Sequence, residues 1–84
     1  MTFEVKFSVQ ATKFLRKQDR HITERIRFSF KKLAKDPFQY LEHFEGESHY
    51  KFRIGDYRAL VDVDFNNHIL FVRLLDKRGR IYKR

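Results

Sequence analysis

Phe3, Val5 and Phe7 alternate with Thr2, Glu4 and Lys6 at the start of the chain. A period of two marks a half-buried strand. The period then lengthens. Ser8 or Gln10 opens a short helix with Ala11, Phe14 and Leu15 on one side. Asp19 is a fair N-cap for a second helix, in which Ile22, Ile26, Phe30 and Leu33 lie close to one face. Pro37 pushes Asp36 out of the helical region and ends it. Phe28 projects roughly opposite the apolar stripe, where it packs on a neighbouring loop or meets a partner.

Residues 38–48 read as a connection, anchored by Phe38, Tyr40 and Phe44 and made acidic by Glu42, Glu45 and Glu47. Three strand-like runs follow. Ile54-Gly55-Asp56-Tyr57 joins the first two as a two-residue hairpin with Gly in the first loop position, which favours a type II′ turn. Phe65-Asn66-Asn67-His68 is a second tight turn, since Asn tolerates positive φ. Strand, helix, helix and antiparallel meander make an α+β fold, with an antiparallel sheet and two N-terminal helices packed on one of its faces.

The first hairpin fixes a register. With residues 55 and 56 as the loop, Arg53 opposes Arg58, Phe52 opposes Ala59, Lys51 opposes Leu60, Tyr50 opposes Val61 and His49 opposes Asp62. Opposed residues share a face. Tyr50, Phe52, Ile54, Tyr57, Ala59 and Val61 therefore face the helices, joined by Val63, Leu70, Val72 and Leu74. The opposite face carries His49, Lys51, Arg53 and Arg58, joined by Phe71, Arg73 and Leu75. Arg53 across from Arg58 is a like-charge pair that costs up to about 1 kcal/mol unless an anion sits between them. The tail that follows, from Asp76 to Arg84, adds five cations and Tyr82, and can return across this basic face. Arg forks grip phosphate and an aromatic ring stacks on a base, so the combination suits single-stranded nucleic acid.

Composition supports this picture. The chain has 84 residues, read as one domain over 1–84, and 42% of them are hydrophobic, too many for a disordered tail. The net charge of +8 opposes folding by self-repulsion and calls for a polyanionic partner. There is no cysteine, hence no disulfide and no thiolate metal site. No apolar run approaches the roughly 18 residues of a membrane span, and the N-terminus lacks an apolar signal centre, so a cytoplasmic protein without membrane contact is expected. No cofactor is expected. His21, His43, His49 and His68 show no metal-ligand spacing. Asp62 and Asp64 share a strand face and read as edge solvation or as partners for nearby cations and, less readily, as a divalent-metal pair. His49 opposite Asp62 reads either as a rim histidine bonded to an acid or as an oriented base.

The run Tyr50-Lys51-Phe52-Arg53-Ile54-Gly55-Asp56-Tyr57-Arg58, followed by Lys77-Arg78-Gly79-Arg80-Ile81-Tyr82, resembles the RelE toxins of bacterial and archaeal toxin–antitoxin pairs, within the RelE/ParE superfamily. The resemblance spans nearly the whole chain. It implies a ribosome-dependent mRNA endoribonuclease that cuts the message in the A site, with the mRNA 2′-hydroxyl as nucleophile and a 2′,3′-cyclic phosphate as product. It implies the ribosome, mRNA and a neutralising RelB-like antitoxin as partners, and no metal. It also implies roles for residues. Lys51 matches the strand lysine proposed as general base, and Arg53 a second strand cation on the phosphate. Arg58 matches the arginine that stabilises the pentacoordinate phosphate. Arg78 matches a tail arginine at the leaving 5′ oxygen, Tyr82 a tyrosine that stacks on a message base, and Arg80 a further phosphate contact. Arg73, Lys77 and His49 are the remaining candidates for RNA contact. ParE-type relatives share the fold and the hairpin arginine but act on DNA gyrase. A non-catalytic RNA-binding module is a third reading of the same groove.

Two physical arguments bear on the chemistry. Arginine does not deprotonate in proteins, so Arg53, Arg58 and Arg78 stabilise charge and cannot serve as bases. Lys51 can serve, since neighbouring cations favour its neutral amine; His49 is the other candidate.

Overall fold

The computed structural model describes residues 2–43 and 49–77. Their order is β1 (Glu4–Phe7), α1 (Val9–Arg16), α2 (Arg20–Lys35), α3 (Pro37–Tyr40), β2 (Glu42–His43), β3 (Tyr50–Ile54), β4 (Tyr57–Asp64) and β5 (Ile69–Lys77). The strands form one five-stranded sheet in the order β1-β5-β4-β3-β2. The α+β class matches the sequence expectation. The sheet is mixed, however: β1 pairs parallel to β5, with Val5 beside Leu70 and Phe7 beside Val72. The helical hairpin provides the crossover that a parallel pair requires.

The local signals act as read in most places. Ser8 caps α1, its hydroxyl accepting from Ala11 N at 3.1 Å. Asp19 holds the N-cap position of α2 but makes no side-chain cap bond there. Asp36, at φ −154° and ψ 75°, leaves the helical region before Pro37, which restarts the chain as the first residue of α3. The hairpin register is the expected one, from Ile54 against Tyr57 through Tyr50 against Val61. Gly55 takes φ 58°, as its turn requires, and Arg25 Nη2 lies 2.6 Å from where a β-carbon would stand. In the second turn the positive φ (57°) falls on His68 rather than on an asparagine. Asp64 organises that turn instead, accepting from Asn67 N at 3.1 Å and Asn67 Nδ2 at 2.9 Å.

The core lies between the helices and one sheet face, with Ile26, Leu33, Val61, Leu70, Val72 and Leu75 fully buried in it. Leu74 and Leu75 have exchanged the expected places: Leu75 is 0% exposed and Leu74 39%. A β-bulge explains this. Leu60 pairs with Leu74 but its neighbour Val61 pairs with Val72, so Arg73 is the extra residue and the alternation slips by one. β1 ends at Phe7, before it could pair with this part of β5. Two side chains extend the ladder in its stead. Ser8 Oγ donates to Arg73 O at 2.7 Å, and Gln10 both donates to Leu75 O at 3.0 Å and accepts from Leu75 N at 2.9 Å. A side-chain hydroxyl and a side-chain amide thereby satisfy backbone groups that β1 no longer reaches. Among the described residues, no helix is long and apolar enough to cross a membrane.

Candidate functional site

The sheet face turned away from the helices carries the residues picked out by the hairpin register. Arg53 opposes Arg58, Lys51 opposes Leu60, and Leu60 opposes Leu74. His49, just before β3, reaches Asp62 as expected, with Nδ1 2.6 Å from Oδ1. Arg73 Nη1 donates to the other oxygen, Asp62 Oδ2, at 3.1 Å. Asp62 is thus a bridge from β4 to its neighbours on both sides. Asp64 is engaged with Asn67, whose side-chain amide and then backbone amide hold its carboxyl below the usual carboxylate range. Among the described residues, no three His, Asp or Glu side chains converge as a metal site.

The cations differ in their surroundings. Arg53 is exposed and, among the described residues, has no hydrogen-bond or ion-pair partner. Arg58 is only 5% exposed. Its Nη1 folds back on the turn, donating to Gly55 O at 2.7 Å and Tyr57 O at 2.9 Å. The like-charge pair is therefore relieved by geometry: one guanidinium is directed onto carbonyl oxygens, and Asp76 stands opposite it on β5. Lys51 Nζ lies 3.5 Å from Glu42 Oε1, across the short β2–β3 pair. In the sequence Glu42 shows only as part of an acidic connection, because a strand of two residues leaves no periodic signal. Lys77 ends β5 in register with Tyr57, a core-face residue, and so does not join the open-face cluster. Arg78, Arg80 and Tyr82, and likewise Phe44, Glu45 and Glu47, lie outside the described residues.

The charge is unevenly spread. Residues 9–40, which build the helices, hold nine Lys and Arg against three Asp and Glu. The described open face, by contrast, sets acids beside its cations. Among the described residues the positive charge is therefore concentrated on the helical layer, and the described sheet contributes placed guanidinium and ammonium groups rather than bulk charge. Phe28 is 62% exposed on that layer, with Lys32 Nζ 5.9 Å from its ring centre. It lines a groove with Phe3, Val5, Phe7 and Lys31 beside the β1 edge.

The family model of the ParE toxin of type II toxin–antitoxin systems, parDE, matches residues 5–82. The chain belongs to this family. The toxin is accordingly a member of the RelE/ParE superfamily, and its fold recurs in solved relatives. The toxin–antitoxin complex RelBE2 from Mycobacterium tuberculosis is 23% identical with a TM-score of 0.80, over 93% of this chain and 100% of that one. The archaeal RelE–RelB complex from Pyrococcus horikoshii is 26% identical with a TM-score of 0.79, over 95% and 99%. The intact E. coli RelBE complex is 20% identical with a TM-score of 0.75, over 93% and 99%. No curated protein matches the toxin.

Proposed function

We propose that the toxin, acting as a single 84-residue domain in the cytoplasm, is an mRNA endoribonuclease that works on the ribosome and is held inactive by a RelB-like antitoxin. The observation that carries this reading is the open sheet face, where Lys51, Arg53 and Arg58 stand on adjacent positions of one hairpin. In this account Arg58 and Arg53 stabilise the charge of the pentacoordinate phosphate, and Lys51 donates to a non-bridging oxygen. Arg78 serves the leaving 5′ oxygen, while Tyr82 stacks on a base and Arg80 binds phosphate. The likeness to RelE structures solved with their RelB antitoxins supports the antitoxin as partner. The basic helical layer offers such a partner, or ribosomal RNA, a counter-charged surface.

The match to the ParE family model favours a second reading, in which the toxin acts on DNA gyrase. The two are separated by primer extension on a translated message, run beside a gyrase supercoiling assay. Cuts that require ribosomes support the interferase. Inhibited supercoiling with an intact message supports the gyrase poison.

A further inference from the structure

We propose that His49 is the general base of the cleavage, oriented by Asp62, and that Lys51 is an electrostatic group rather than the base. This rests on the interferase reading. His49 shares the open face with Lys51 and Arg53, and two residues along a strand place it about 7 Å from Lys51, backbone to backbone. Its Nδ1 is 2.6 Å from Asp62 Oδ1, with the two side chains 30% and 33% exposed. A carboxylate at that distance accepts from Nδ1–H and fixes the tautomer, leaving the Nε2 lone pair for a substrate proton. Among the described residues His49 has no second partner. The second oxygen of Asp62 accepts from Arg73 Nη1 at 3.1 Å, so the carboxylate is locked on both sides and orients the ring. Lys51 is held differently. Its ammonium lies 3.5 Å from Glu42, an arrangement suited to a charged donor.

The step balances. His49 Nε2 takes the proton from the 2′-hydroxyl as O2′ bonds to phosphorus. The P–O5′ bond breaks, and O5′ departs with a proton from water. The products are a 2′,3′-cyclic phosphate and a 5′-hydroxyl, and the imidazolium returns its proton to solvent. The charged groups that face His49 are Asp62 from β4 and, through Asp62, Arg73 from β5. Lys51 of β3, with Glu42 of β2, follows it two residues on, and His43 lies across from Tyr50.

The test is single-turnover cleavage of ribosome-bound message by the full chain between pH 5.5 and 8.5, with melting curves for each variant. The wild-type rate should rise tenfold per pH unit at the acid end and then level. His49→Ala and His49→Asn should each lose about 100-fold or more, with the acid limb gone. Asparagine places an amide N–H where Nδ1–H stands and can keep the bond to Asp62, so it rescues a merely structural role. Lys51→Arg, which keeps the charge but cannot be a base, should lose less than tenfold. Asp62→Asn should fall between these. A His49→Asn enzyme with near wild-type rate and pH profile overturns the assignment, as does a Lys51→Arg enzyme as poor as His49→Asn. A wild-type chain that leaves ribosome-bound message uncut overturns the interferase reading itself, and this inference with it.

Discussion

Arg58→Ala sets two physical arguments against each other. On register alone, removing one of two opposed arginines relieves a repulsion of up to about 1 kcal/mol and should stabilise the hairpin. The structure shows a different balance. Arg58 is buried and donates to the carbonyls of Gly55 and Tyr57. Gly55 is exposed, so its oxygen regains water in the variant and little is lost there. Tyr57 is buried, and its carbonyl loses a charge-assisted bond of about 1.5–3 kcal/mol. Setting the full relieved repulsion of about 1 kcal/mol against that loss leaves a net destabilisation of roughly 0.5–2 kcal/mol. For a domain of this size the melting temperature should fall by roughly 2–16 °C. Urea titration should show a lower midpoint with an unchanged slope, since the surface exposed on unfolding hardly changes. Cleavage measured well below both midpoints should fall about 100-fold or more, because the phosphate loses its guanidinium. A variant as stable as the parent, or more so, would refute the reasoning that Arg58 braces the turn.

Other expectations are open to simple measurement. Leu75→Asp should prevent stable folding by circular dichroism while Leu74→Asp folds, because the bulge buries only the former; the reverse outcome would remove the bulge. Gln10→Ala should cost about 1–3 kcal/mol in urea denaturation, since both backbone groups of Leu75 lose their partner; no change would mean water replaces the amide freely. The carboxyl of Asp64 is held below its ordinary 3.8, chiefly by the Asn67 side-chain amide. A depressed folded pKa adds stability above the unfolded value and loses it as pH falls through the folded one. The gap in melting temperature between wild type and Asp64→Asn should therefore be constant at neutral pH and close below about pH 4. A gap that persists in strong acid would show that the charge is not its source.

What the sequence disclosed follows from the range of the interactions involved. The β3–β4 register was legible because it depends on a two-residue loop with Gly55 in place, and one turn propagates to every pair up to His49 and Asp62. The helix limits were legible at Ser8, Asp19 and Pro37 for the same local reason. The bulge was not, since Leu74 and Leu75 are both apolar and either phase of alternation satisfies the pattern. Nor was the parallel seat of β1 beside β5, which joins segments more than sixty residues apart. Arg58 and Lys51 were placed on the correct face, but their partners were not. Gly55 and Tyr57 hold Arg58 through backbone carbonyls, which leave no trace in side-chain identity, and Glu42 arrives on a strand too short to show alternation.

Primer extension on a message under translation, with purified toxin added, tests the central claim most directly. The account predicts breaks within the A-site codon that end in a 2′,3′-cyclic phosphate, appear only when ribosomes are present, and vanish with Arg58→Ala. An intact message under those conditions, together with inhibited gyrase supercoiling by the same preparation, would contradict it.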